Sequence, residues 1–263
     1  MSDRAPLTDV AASPFRLERH ARIGSTNDRA RSRLRQPDGA GVIVVADEQL
    51  TGRGRRGRSW ASPPGRNLYL SLGLRPNLAA RDAWQLSFGA ALAVREACAP
   101  IAALWVKWPN DLVAADGAKV AGLLLETSVD GERVADAVVG IGINVNWRRA
   151  EMPAELRPRA TSLAELAGAP VDREALLARL ATALHAEIGH VEAGDSPLRR
   201  YRAASWLTGR SAEVETGGER VAGTVRGFAP DGALLVEADG VIRTIGHGEV
   251  VRVLPAPAGA PYA

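Results

Sequence analysis

Cysteine occurs once in the 263 residues, at Cys98, so no internal disulfide and no thiolate metal cluster can form. That usage fits a reducing compartment. Histidine is scarce too: His20, His185, His190 and His247 show no metal-ligand spacing. No apolar stretch approaches the roughly 20 residues that span a bilayer, and the first fifteen residues lack the apolar core of a secretory signal. These absences predict a soluble, cytoplasmic protein without membrane contact. A large excess of one charge is also missing. The chain has 33 Lys and Arg against 30 Asp and Glu, a net +3, which gives weak support to a broadly basic nucleic-acid surface. The Walker pattern GxxxxGK[ST] is absent, and no Ser–His–Asp or Cys–His pairing is readable, which disfavours P-loop and covalent nucleophilic chemistry.

Against that ordinary background stands Gly52-Arg53-Gly54-Arg55-Arg56-Gly57-Arg58, with four guanidinium groups in seven residues. Arginine is almost never buried unpaired, and each glycine costs a helix about 1 kcal/mol against alanine. The segment therefore predicts a mobile cationic loop whose backbone N–H groups can approach an anion. A phosphate-bearing small molecule and a nucleic acid both remain open at this point. A GxGxxG match at Gly52, Gly54 and Gly57 lies between two strand-like runs with no helix after it, unlike a dinucleotide fingerprint.

Residues 1–14 read as a flexible tail. Ser25-Thr26-Asn27-Asp28 is a polar helix start; Gly41–Ala46 and Asn67–Leu72 are strands that bracket the arginine loop. Residues 80–98 carry helical periodicity, Leu104–Val106 is a strand, and Pro109 with Asn110 and Asp111 marks a turn. Leu112–Ala114 and Val120–Glu126 flank an Asp116-Gly117 hairpin signal, and Ala137–Ile143 is a further strand. Residues 172–193 predict one long helix capped by Asp172. From Gly209 onward, short alternating runs separated by Gly217-Gly218, Asp231-Gly232 and Asp239-Gly240 predict a small barrel-like β module. The organisation expected is a tail (1–14), a catalytic domain (15–207), a C-terminal domain (208–255) and a second tail (256–263).

A nucleoside triphosphate site needs cationic donors for phosphates, a carboxylate or amide for Mg²⁺, and an aromatic slot for the base. The loop supplies the first, Asn110 and Asp111 can supply the second, and Trp60 can close over a ring. Lys119 opens a strand whose small residues, Ala121 and Gly122, let a ligand lie against the backbone. Taken singly, these are a solvated hairpin lysine, a turn acid and a helix cap, and Gln49 alone carries almost no signal.

Together they are no longer independent. Ser25-Thr26-Asn27, Gln49 before the arginine loop and Trp60, Lys107-Trp108-Pro109-Asn110-Asp111, Lys119-Val120-Ala121-Gly122 and Gly140-Ile141-Gly142-Ile143-Asn144 resemble the biotin protein ligase family in order and spacing over residues 20–253. The resemblance implies an α+β fold: a mixed sheet packed by helices, related to class II aminoacyl-tRNA synthetases, with a small SH3-like barrel. It implies ATP-dependent formation of biotinyl-5′-AMP and transfer of biotin to a lysine of a biotin carboxyl carrier domain, with Mg²⁺ accompanying ATP. By matching positions it assigns Ser25, Thr26, Asn27, Gln49, Gly52, Arg53, Gly54, Arg55, Lys119, Gly122 and Leu124 to biotin. It assigns Arg53, Arg55, Arg58, Trp60, Lys107, Asn110, Asp111 and Asn144 to the nucleotide, with Asp111 on the metal side and Arg55 and Lys119 in the chemistry. Too few residues precede Ser25 for the winged-helix domain of bifunctional members, since independent domains need about 40 residues; no DNA binding is expected. Strand-edge homodimers occur in the family. A lipoate–protein ligase is the second reading, and an RNA-binding module stacking bases on Trp60 and Trp108 is the reading from another class.

Overall fold

The computed structural model describes residues 7–10 and 13–254. In chain order the elements begin with β1 (Leu7–Val10), β2 (Ser13–Ile23), α1 (Thr26–Leu34), β3 (Val42–Gln49) and β4 (Leu68–Leu74). Then come α2 (Trp84–Cys98), β5 (Trp105–Lys107), β6 (Asp111–Val113), β7 (Lys119–Asp130) and β8 (Arg133–Ile143). Three helices follow: α3 (Leu163–Ala167), α4 (Arg173–Glu192) and α5 (Leu198–Ala203). The chain ends in β9 (Ser211–Thr216), β10 (Glu219–Phe228), β11 (Leu234–Ala238), β12 (Val241–Ile245) and β13 (Glu249–Val253).

Strands β1 to β8 form one sheet in the order β1-β2-β3-β4-β8-β7-β6-β5, with β2 and β3 parallel and the other pairs antiparallel. Alternation along β3 sorts its side chains onto two faces. Ile43 and Val45 join the main core with α2 and α4, whereas Val42 and Val44 meet Ala30 and Leu34 of α1. Helix α1 therefore lies alone on one face, and that is the face that carries the site. Asp172 caps α4 through the amides of Glu174 and Ala175, at the position predicted from sequence.

The C-terminal strands form a separate antiparallel sheet, β12-β11-β10-β9-β13. Its two ends, β12 and β13, are not paired with each other among the described strands, so the sheet expected from the turn spacing is present and a closed barrel is not shown. An aromatic cluster joins it to the larger part: Phe88 stacks on Tyr201 at 3.7 Å, and Phe228 meets both edge-on.

The expected N-terminal tail needs correction. Leu7–Val10 pairs antiparallel with β2, and β2 already begins at Ser13. Buried Val10 and Phe15 explain the strands; their signal is diluted by the many charged neighbours. Residues 1–6, 11–12 and 255–263, which include the expected C-terminal tail 256–263, lie outside the described residues. No helix among the described residues is long and apolar enough to cross a membrane.

A buried charge cluster locks α1 to the sheet. Glu18 is 0% exposed and pairs with Arg29, Arg33 and His20, the last at 2.7 Å. Arg29 and Arg33 are four residues apart and so share one helix face. Burial alone would raise the Glu18 pKa, but hydrogen bonds from Arg29, Arg33 and His20 outweigh it and hold the carboxyl below its ordinary range. Removing one member of such a buried cluster leaves uncompensated charge. Glu18→Gln should therefore cost about 3–5 kcal/mol in denaturant unfolding. A depressed folded-state pKa stabilises above the unfolded value of 4.5 and is lost as pH falls below it. Wild type should thus lose stability more steeply than the variant over that acid window; parallel curves would show that Glu18 is not the anchor.

Candidate active site

Two rows of residues across the central sheet make the floor. Register aligns Ser71, Gly140 and Leu124 in one row, and Tyr69, Gly142, Gly122 and Asp111 in the next. Both rows share the parity of Val138, whose side chain packs against α1. The glycines keep this floor bare. A Cβ on Gly140 would stand 2.1 Å from Asn27 Oδ1, and one on Gly142 2.5 Å from the Trp60 indole. One on Gly122 would stand 2.9 Å from both Trp60 and Lys119.

The first turn of α1 delivers polar groups to one end of that floor. Gln49 Oε1 accepts from the Thr26 backbone N–H at 2.9 Å and from its hydroxyl at 3.0 Å. Ser71 Oγ lies 2.8 Å from Thr26 Oγ1 and 2.6 Å from Asn27 Oδ1, and Asn27 Nδ2 donates to Glu126 at 2.6 Å. Ser25 holds the N-cap position but makes no side-chain cap bond, which leaves its hydroxyl for the cleft it lines.

Residues 52–60 are a small hairpin rather than an irregular loop. Arg53 bridges Ser59, the Gly54 N–H donates to Arg58 O at 2.7 Å, and the Trp60 N–H donates to Gly52 O at 2.8 Å. On the α1 side, Arg53 grips Asp28 with two hydrogen bonds of 2.7 Å. That pairing draws the Asp28 carboxyl below its ordinary range. On the other side, Arg55 donates to Gly248 O at 3.2 Å and Arg58 pairs with Glu249 at 2.7 Å, both on or beside β13. Burial lowers the Arg55 pKa, and the like charge of Arg56 adds to the effect.

Lys119 reaches Asp111 at 2.6 Å and lies 5.1 Å from the centroid of a Trp60 ring. Lys107 is nearby, and burial lowers its pKa against the opposing pull of Asp111. Asn110 Nδ2 donates to Leu123 O, and buried Asn144 donates to Thr161 O at 3.0 Å. These groups surround one cleft of about 910 Å³.

Of the residues singled out from sequence, Ser25, Thr26, Asn27, Gln49, Arg53, Gly54, Arg55, Arg58, Trp60, Lys107, Asn110, Asp111, Lys119, Gly122, Leu124 and Asn144 line this cleft. Gly52 does not. It sits at the hairpin base, where a Cβ would be 2.6 Å from Trp60 O and 2.8 Å from Ser62 Oγ. Trp60, read from sequence as part of a base slot, lies over Gly122 and Gly142 beside Lys119. Its indole Nε1 has no hydrogen-bond partner among the described residues. Trp108 is 3% exposed and donates to Gly232 O, so it offers no stacking platform for a nucleic acid. Sequence reading passed over Ser71, Glu126, Trp147, Leu156 and Glu249. The parity of Gly140 and Gly142 with Asn144 was visible in the motif, whereas Glu249 had no signal.

The comparisons agree with this geometry. Residues 20–144 match the model of the biotin/lipoate A/B protein ligase family. The biotin–[acetyl-CoA-carboxylase] ligase of Mycobacterium tuberculosis is 35% identical over 95% of this chain and 94% of its own length. The enzyme of the same name from Paracoccus denitrificans is 38% identical over 88% of this chain and 98% of its own. The biotin protein ligase from Aquifex aeolicus, solved in complex with biotin and ATP, superposes with a TM-score of 0.77 at 31% identity, over 89% of this chain and 96% of that one. This chain belongs to the biotin/lipoate A/B protein ligase family.

Proposed function

We propose that the chain is a biotin protein ligase, which activates biotin with ATP to biotinyl-5′-AMP and passes the biotinyl group to a lysine of a biotin carboxyl carrier domain. The observation that carries this reading is the continuous floor of Gly140, Gly142 and Gly122, with neutral hydrogen-bonding groups at one end and cations at the other. The biotin relatives named above favour it over lipoate transfer. Burial of Trp108, which leaves one of the two expected stacking rings inaccessible, counts against RNA binding.

Biotin's ureido ring needs both donors and acceptors, which Ser25, Thr26 and Asn27 provide at the α1 end. Its bicyclic ring lies along the glycines under Trp60, and its carboxylate points to Lys119. Trp60 is thus reassigned from the adenine to the biotin ring. The adenine goes to the apolar slot of Trp147, Leu156 and Ala160, beside Asn144, all of which line the same cleft. A biotin carboxylate oxygen attacks the α-phosphorus, the bond to the bridging oxygen of the β-phosphate breaks, and pyrophosphate leaves. Two anions must meet in this step, and Arg55, Arg58, Lys107 and Lys119 offset their repulsion. The acceptor lysine then attacks the biotinyl carbonyl and AMP departs with the electron pair of the broken anhydride bond.

Magnesium fits as a passenger on ATP. Asp111 is one carboxylate, already paired with Lys119, and no group of three or more acidic, His or Cys ligands occurs among the described residues. Magnesium commonly binds through one or two carboxylates plus substrate phosphates. Asp111 would hold it, and bound there it would neutralise phosphate charge. The reading also places the enzyme in the cytoplasm, with its ATP.

Purified protein given biotin, MgATP and a carrier domain should release pyrophosphate and add one biotinyl group to a single lysine, seen by mass spectrometry. Lipoylation of an acceptor with no biotinylation would overturn the reading. Arg55→Gly removes the guanidinium at the mouth of the cleft and should let biotinyl-5′-AMP escape, biotinylating bystander lysines; retention equal to wild type would remove Arg55 from the lid. Lys107 tests the electrostatics. Because its pKa is lowered from the ordinary 10.5, it loses its charge earlier as pH rises. The kcat/KM for ATP should therefore fall on the alkaline side below that value. Lys107→Arg, which stays charged, should abolish the decline; the same limb in both would clear Lys107 of the role.

A further inference from the structure

The hairpin 52–60 is anchored at two ends by different acids. Arg53 holds the α1 end through Asp28 and, at 3.7 Å, Glu126. Among the described residues, the tip is held by polar contacts with the C-terminal sheet. None of Arg55, Arg56 and Gly57 is buried, and a Cβ on Gly57 would touch nothing within 4 Å, so packing does not fix this turn. Arg56 adopts a left-handed conformation, φ 56°, which a non-glycine residue keeps only where its surroundings impose it. Those surroundings are acidic. Arg56 meets Glu215 at 3.5 Å through the carboxylate and at 3.3 Å through the backbone carbonyl, and Glu249 at 3.7 Å. Glu249 also takes Arg58 at 2.7 Å and lines the main cleft.

We propose that Glu249 is a positioning residue for adenylate formation, holding Arg58 and Arg56 at the cleft mouth so that the nucleotide end of the hairpin is ordered before ATP arrives. It touches no reacting atom; it acts through Arg58. The proposal rests on the reading of the cleft as a biotin and nucleotide site. Glu249 retains 26% of its side-chain exposure and Arg58 57%, so the pair is solvated. A triphosphate, which carries more charge, can therefore draw Arg58 away when it enters. The division of labour follows from the anchors: Asp28 and Glu126 serve the biotin end, Glu249 the nucleotide end.

The test uses the full chain and the variants Glu249→Gln and Arg58→Gln. In the ligand-free protein, hydrogen exchange of the Gly54 and Trp60 amides should quicken about two- to fivefold in Glu249→Gln, the size expected for a part-exposed ion pair. The KM for ATP should rise by a similar factor while biotin affinity and the melting temperature stay near wild type. Because Glu249→Gln already cuts the pair that Arg58→Gln cuts, the double variant should exchange no faster than Glu249→Gln alone. Unchanged exchange, or additive effects in the double variant, would overturn the proposal. So would joint weakening of biotin and ATP with a lowered melting temperature, the mark of a merely structural role in β13. Should Glu249→Gln fail to fold, Arg58→Gln cuts the pair from the exposed hairpin side and the exchange measurement decides alone. Absence of ATP–pyrophosphate exchange in the wild type would instead sink the ligase reading, leaving the hairpin measurement intact.

Discussion

The site depends on three missing side chains. Gly122, Gly140 and Gly142 sit in neighbouring rows of the β7–β8 ladder, close to its Ala121–Ile143 end. Strand interiors disfavour glycine, which brings no side chain to pack and a large entropic loss. Here the loss has a geometric return: any Cβ at these positions would collide with Asn27, Trp60 or Lys119. The same two strands compensate with Leu123, Val139, Ile141 and Ile143, all buried on the opposite face. A rigid ladder can therefore present a smooth surface without becoming a weak one. Helix α1 and the arginine hairpin are shaped around that surface, one at each end.

Charge follows the same division between permanent and exchangeable. Glu18 is fully buried and Arg33 nearly so, and a buried ion cluster cannot be opened without large desolvation penalties. It is suited to fixing α1 and unsuited to any step that has to reverse. The acids that hold the hairpin are of the other kind: the side chains of Asp28, Glu126 and Glu249 are 51%, 28% and 26% exposed. Pairs like these contribute about 0–1 kcal/mol, so an incoming phosphate can compete with them. The cations are thereby kept in place without being made unavailable. Lys119 occupies an intermediate position, since its 2.6 Å pair with Asp111 lies on the floor itself and not at the rim.

Much of this was legible in the sequence because the informative residues recur as short segments. The arginine run, Lys107 to Asp111 and Lys119 to Gly122 fall on turns or strand entrances, where local composition is a direct guide. Helix α4 was equally plain from Asp172 and its leucine spacing. What escaped had a tertiary cause. Strand β2 carries Arg16, Glu18, Arg19 and His20, and its pairing with β1 and β3 explains why such a charged segment is extended. At Gly52 a hairpin base and a cleft wall both demand a small residue, so the sequence alone does not separate the two. Sequence places Trp60 next to the arginines but cannot show that its ring turns back over β7 and β8.

That backward turn links the lid to the floor. The hydrogen bond from the Trp60 N–H to Gly52 O closes the hairpin at its base, and Gly52 has no room there for a side chain. The indole is consequently carried by the same unit as Arg53, Arg55 and Arg58. A movement at the arginine tip is transmitted through a short ladder to the ring that covers Gly122 and Gly142. Phosphate contacts at one end and ring contacts at the other are thus coupled through a single piece of backbone, with no need for a longer pathway. An intermediate that joins a biotinyl group to a nucleotide engages both ends at once. In the proposed reaction either fragment alone would engage only one end, so the joined intermediate would order the hairpin most fully, and it is the species that most needs protection from water.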